Sequence, residues 1–164
     1  KAAKNLIKQG YKRIAWLGPI GSSGISRERF GGAAAACAAS GTPLTKEWCF
    51  ECEVNNPHKK TLELLSAKNK PDAILSLWSE ISLSIATVSK KLNLKIGKDF
   101  GMVGWSTEDK YEEYSKSFEN DTPPPTIIWA PEEMALTAIS RLSERWQNPT
   151  MPTLRLLVPT YLRE

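Results

Sequence analysis

The chain has 164 residues, 41% of them apolar and 24% charged, enough for one domain with a real core and too apolar for disorder. No apolar run approaches the ~18 residues that a membrane helix needs. The net charge of +4 and the pI near 9.0 come from Lys and Arg spread along the chain. A nucleic-acid footprint needs a concentrated patch, so the charge reads as solvated faces and argues against direct DNA contact.

Helix and strand alternate from the start. KAAKNLIKQG is an amphipathic helix with Leu6 and Ile7 on one side, ending at Gly10. It lacks an N-cap and no secretory signal precedes it, so the expectation is a piece of a longer protein. A strand over 13–17 runs into the loop GPIGSSG, and a helix over about 26–39 follows, closed by Gly41 and Pro43. A short strand is expected over 48–54. Pro57 opens a helix that carries Leu62, Leu64 and Leu65. AILSLW is a strand. A helix over about 80–91 has Ile81, Ile85, Val88 and Leu92 at helical spacing, and 100–104 is another strand. Strands separated by helices of this length imply right-handed crossovers and a parallel sheet.

The texture changes after Trp105. STEDKYEEYSKSFENDTPPP is polar and acidic, a loop with room for a short helix around 110–115. A strand is expected over 126–129. Pro131 then starts a strong helix with Met134, Ala138, Leu142 and Trp146 along one stripe, where Trp146 reads as packing. TLRLLVPTYLRE reads as a closing apolar strand.

Cys49 and Cys52 have CxxC spacing, but neither a second ligand pair nor a redox context accompanies them, and a strand there would point them to opposite faces. His58 is the only histidine and reads as an exposed first-turn residue. No nucleophile–base–orienter set is visible, and GPIGSSG lacks the GK[ST] of a phosphate-binding loop. An enzyme, a metal site and a cofactor are therefore not expected.

Several segments, in order and spacing, resemble the lac/galactose-repressor family: KAAKNLIKQGYKRIAWLG, the loop and helix SSGISRERF, PDAILSLWSEISLSIATVSKKLNLKIGKDFGMVGW, and PTIIWAPEEMALTAISRLSERWQNP followed by LRLLVPTYLRE. The resemblance runs nearly the whole length. It implies an α/β fold, a three-layer sandwich with a mostly parallel sheet, of the type I periplasmic-binding-protein-like class. It further implies that 1–164 is one effector-binding lobe, the C-terminal one. The other lobe and the helix-turn-helix domain are absent, and 126–149 is a crossover toward the absent lobe.

In that family the effector lies between the lobes. Arg29 matches an arginine that clamps ligand hydroxyls or carboxylates, a rigid fork of donors aimed at the carboxyl ends of the strands; the bland alternative is a surface arginine paired with Glu28 or Glu80. Arg27 reads as a solvated neighbour. Other pocket positions depart from the pattern. The Asn-Asp pair after the third strand is Trp78-Ser79 here, the Asp-Asp pair after the fourth is Ser106-Thr107 preceded by Trp105, and the glutamine of the crossing segment is replaced near Trp129. The expected ligand set is thus Arg29, Trp78, Ser79, Trp105, Ser106 and Trp129, with Trp78 and Trp105 flanking the ligand. Trp usually packs in a core, and that alternative stands beside the site reading. Trp16, inside a strand, reads as core.

The expected function is that of a cytoplasmic, sugar- or sugar-like-effector-sensing domain of a bacterial transcriptional regulator. Operator DNA would be contacted only through a domain outside this chain. A homodimer is expected, with Leu83, Ser82 and Ser84 of the 80–91 helix available to a partner. The alternative is a solute-binding protein of a sugar transport system.

Overall fold

The computed structural model describes residues 1–118 and 122–164; positions 119–121 of the expected acidic loop lie outside the described residues. The elements, in chain order, are α1 (Ala2–Lys8), β1 (Ile14–Leu17), α2 (Gly24–Ala39), a 3-10 turn (Lys46–Trp48), β2 (Cys49–Phe50), α3 (His58–Ser66), β3 (Ala73–Ser76), α4 (Ser79–Lys91), β4 (Gly101–Thr107), α5 (Tyr111–Lys116), β5 (Thr126–Trp129), α6 (Pro131–Gln147) and β6 (Tyr161–Arg163). One six-stranded sheet has the order β2-β1-β3-β4-β5-β6. Its ladders are parallel except β5 with β6, which is antiparallel.

Helices cover both faces. Ile14, Trp16, Leu75, Leu77, Val103 and Ile127 meet Ala3 and Leu6 of α1 and Cys37 of α2. On the opposite face Ala15, Leu17, Ile74 and Met102 meet Leu64 of α3, Ile81, Ile85 and Val88 of α4, and Tyr114 of α5. Every residue of β1 and β3 is buried, as expected of parallel strands sandwiched between helix layers. The expected three-layer, mostly parallel sandwich is the fold.

Local chemistry sets the joins. Gly10, with φ +94, ends α1 in a backbone region that favours glycine. The Asp72 carboxylate accepts from the backbone N–H groups of Lys12 (3.1 Å) and Arg13 (2.8 Å), fixing the entries of β1 and β3 against each other. Ser23 caps α2 by accepting from the Ser26 N–H at 3.1 Å.

Four expectations are corrected. The 48–54 strand shrinks to Cys49–Phe50, because the register sets Phe50 opposite Leu17, the last residue of β1, and leaves no partner strand beyond it. The closing segment is a strand only over Tyr161–Arg163; Pro152 and Pro159 have no N–H to donate to a ladder. Ser82 and Ser84 are not free for a partner: both are buried, Ser82 Oγ within 2.7 Å of Ser76 Oγ and Ser84 Oγ within 3.0 Å of Thr61 Oγ1. Trp146 is 83% exposed. α6 has no buried residue at all. Trp16, by contrast, is core, 4% exposed and edge-on to Phe30.

Gly104 sits where β4 passes the buried Tyr114, and a Cβ there would run into the Tyr114 hydroxyl. Gly104→Ala is expected to lower stability by about 1–3 kcal/mol in urea unfolding, the range for overpacking. Adding Tyr114→Phe should recover part of that loss.

Candidate functional site

Strand alternation decides which side chains reach the same rim. Residues two apart on a strand share a face. Val103 faces α1 and α2, so Trp105 and Thr107 do too. Thr107 is in register with Trp129, two residues beyond Ile127 of the same face. The carboxyl ends of β4 and β5 therefore raise Trp105 and Trp129 on the side where α2 lies. Trp78 follows the carboxyl end of β3 and opens α4.

The loop after β1 aims α2 at that rim. Gly18, with φ +149, lets the chain pass so close to β3 that a Cβ would lie 2.9 Å from Leu77 Cβ. The Glu51 carboxylate accepts from the N–H groups of Ile20 (3.1 Å) and Gly21 (2.9 Å), which holds its pKa below the ordinary 4.5. Arg27, exposed, donates to the Gly21 carbonyl at 2.9 Å, closing the loop onto the first turn of α2. The next turn presents Arg29.

Arg29, Trp78 and Trp105 meet. The guanidinium carbon is 4.5 Å from the Trp78 ring centroid and 4.1 Å from that of Trp105. The two indoles are edge to face, 5.9 Å apart at 71°. A cation over two indole faces gains about 0.5–2 kcal/mol per contact. The guanidinium thus lies over one face of each ring. The pairing of Arg29 with Glu28 or Glu80 does not occur. Glu28 instead pairs with Arg155, and Arg29 has no ion-pair partner among the described residues. Burial pushes its pKa down from the ordinary value, though a guanidinium stays charged.

Ser79 begins α4 beside Trp78, its hydroxyl donating to Glu80 at 3.1 Å. Ser106 is a correction. It is 1% exposed, alternates to the opposite face of β4, and donates to the Thr107 carbonyl at 3.2 Å; it does not join the others.

A cleft of about 660 Å³ opens beside Arg29, lined also by Trp78, Trp129, α6 and the segment before β6. A second hollow of about 380 Å³ touches Arg29 from the Trp105 side. Of the buried atoms without a hydrogen-bond partner among the described residues, Arg29 Nη1, Trp129 Nε1 and Arg141 Nε belong to residues that line the cleft, Trp105 Nε1 to one that lines the second hollow, and Thr107 Oγ1 to the same face at the end of β4. Buried polar atoms are almost always satisfied, so this concentration singles out the rim as the candidate site. Arg141 was missed from sequence. The signal was the spacing of Thr137, Arg141 and Arg145 beside the apolar stripe of α6, all three of which line the cleft. His58 is exposed in the first turn of α3. Among the described residues no His, Cys, Asp and Glu cluster has the makings of a metal site.

Trp78 stores strain. Its φ of 82° and ψ of 148° lie where essentially only glycine is comfortable, at a cost of about 1–3 kcal/mol. Trp78→Gly should therefore be more stable than Trp78→Ala by about 1–2 kcal/mol in chemical denaturation, the reverse of the usual order in helices. Equal stability would show that the strain is absent. The depressed carboxylate of Glu51 makes a second expectation. Its hold on the loop is complete above the ordinary pKa of 4.5 and lost as pH falls through the lower folded value. Hydrogen-exchange protection at Ile20 and Gly21 should fall over that acid window and be lost at all pH in Glu51→Ala.

The profile of the periplasmic binding protein-like domain matches residues 3–164. The maltose regulon regulatory protein MalI of Escherichia coli (strain K12) is 28% identical over 169 residues, covering 97% of this chain and 48% of that protein. The HTH-type transcriptional repressor PurR of Glaesserella parasuis serovar 5 (strain SH0165) is 22% identical, covering 98% and 47%. Among solved structures, a transcriptional regulator CelR–cellobiose complex superposes with a TM-score of 0.85 at 21% identity, covering 99% of this chain and 49% of that one. A LacI family regulator from Enterococcus faecium with bound ribose gives 0.82 at 18%, covering 99% and 58%. The chain spans about half the length of the curated relatives it matches. With its sheet order and all but its first two residues accounted for, the chain belongs to the periplasmic binding protein-like domain family.

Proposed function

We propose that this chain is the C-terminal lobe of a cytoplasmic effector sensor that controls transcription. Its ligand is a carbohydrate or a derivative of one, held at the carboxyl rim of the sheet. The observation that carries the reading is the convergence of Arg29, Trp78 and Trp105 beside a cleft where Trp129 also stands. The relatives named above are transcriptional regulators, and two related structures hold cellobiose and ribose; this supports sensing over transport. The rim chemistry supports it over catalysis. A guanidinium and indole N–H groups orient a ligand, but neither attacks a bond nor exchanges protons near neutrality.

In this reading Trp78 and Trp105 are positioning residues. They hold the guanidinium fork still, so that less entropy is lost when a ligand accepts from it. Ser79 and Trp129 border the same site. The bare apolar stripe of α6 is the crossover face turned toward a second lobe, and DNA is contacted through a further domain. Ligand binding shifts the equilibrium between lobe arrangements only through its differential affinity for them. The protein acts as a homodimer.

Tryptophan fluorescence of the protein at its natural length, titrated with sugars, sugar phosphates and nucleosides, tests the site. A bound effector should change the emission of the indoles around Arg29. Arg29→Ala should weaken binding by about 1.5–3 kcal/mol, the range for a charged hydrogen bond. Unchanged affinity in that variant would reject the assignment.

A further inference from the structure

The unpartnered buried atoms of the rim are nearly all donors. Three of its unpartnered buried atoms, Arg29 Nη1, Trp105 Nε1 and Trp129 Nε1, can only donate. A fourth, Arg141 Nε, extends the series into the cleft. Thr107 Oγ1 alone could do either. Four arginines line the cleft (Arg29, Arg141, Arg145 and Arg155) against one glutamate, Glu28, and that carboxylate is engaged by Arg155.

A neutral sugar can accept from these donors but leaves the charge on Arg29 uncompensated. Each of its hydroxyls brings a proton that wants an acceptor, and a hydroxyl left unpaired on burial is costly. Arg29 adds an electrostatic argument. Its charge is partly desolvated between two indoles, with no ion-pair partner among the described residues. The indole faces give it quadrupole attraction but do not neutralise it. An anion meeting the free edge of the fork does, with two parallel N–H···O bonds.

We infer that the ligand of this cleft is an anion: a ring-sized polyol carrying a carboxylate or a phosphate, its acidic group on the free edge of Arg29 and its oxygens accepting from Trp129. This rests on the reading of the cleft as the effector site and narrows it to a charge class. The carboxylate and the phosphate share the chemistry of an oxyanion, and the test separates them.

The experiment uses the natural-length protein and matched pairs: glucose against glucuronate and glucose 6-phosphate, and ribose against ribose 5-phosphate. Affinities are read by calorimetry or tryptophan fluorescence. In at least one set the anionic member should bind about 10-fold or more tightly than its neutral parent, as charge-assisted bonds imply. The favoured anion tells carboxylate from phosphate. Arg29→Gln should bring the pair to within about 3-fold of each other. Arg29→Lys, which keeps the charge but not the fork, should retain part of the preference, and thermal midpoints check that both variants fold. Neutral members binding as tightly as anionic ones, with Arg29→Gln weakening both alike, would overturn the anion and leave the site standing. Arg29→Gln without effect on any affinity would overturn the site itself. No response to any member up to about 10 mM, weaker than ~3 kcal/mol of binding, would also overturn the anion inference.

Discussion

A parallel ladder buried on both faces is the constraint from which the rest follows. β1, β3 and β4 can be parallel neighbours only if each connection returns over a face, and those returns are α2, α3 and α4. The carboxyl ends of β1 to β5 then point one way. The loop after β1, the first residue of α4 and the ends of β4 and β5 reach one edge regardless of their distance in sequence. Positions 29, 78, 105 and 129 span a hundred residues, yet the first three are in contact and the fourth stands in the same cleft.

The arrangement at that edge differs from a stacking platform for a sugar. Two indoles close on a guanidinium, and the guanidinium presents only its edge. Aromatic surface here positions a charge. The strained backbone of Trp78 belongs to the same device, since that unusual turn brings its indole back over α2 rather than out along α4.

The sheet and its order were legible because the alternation of helices and strands is strongly periodic: Ile81, Ile85 and Val88 repeat every three or four residues and are all buried. Arg29 was legible because a basic residue in the second turn after a strand–loop–helix join has little choice of direction. What sequence could not give was side-chain geometry. Nothing in the order of residues distinguishes an indole against a ligand from one against an arginine. Ser106 was misplaced because one residue along a strand reverses the face. Trp146 was misjudged because an apolar stripe announces a partner without saying whether this chain provides it. The shortness of β2 was hidden because it is set by where its partner β1 ends and not by residues of its own. Arg141 was overlooked because the eye followed the apolar stripe of α6 and not the polar one beside it.

The bareness of α6 has a consequence for how the molecule comes apart. Seventeen residues of helix contribute nothing to either core layer, whereas the ladders of β1, β3 and β4 are sealed on both sides. Opening free energies track such differences in packing. Cohesion in this chain is accordingly graded from one end of the sheet to the other: α6 and the tail leading into β6 detach first, at small cost, while the β1–β3–β4 nucleus persists until the whole chain loses its order.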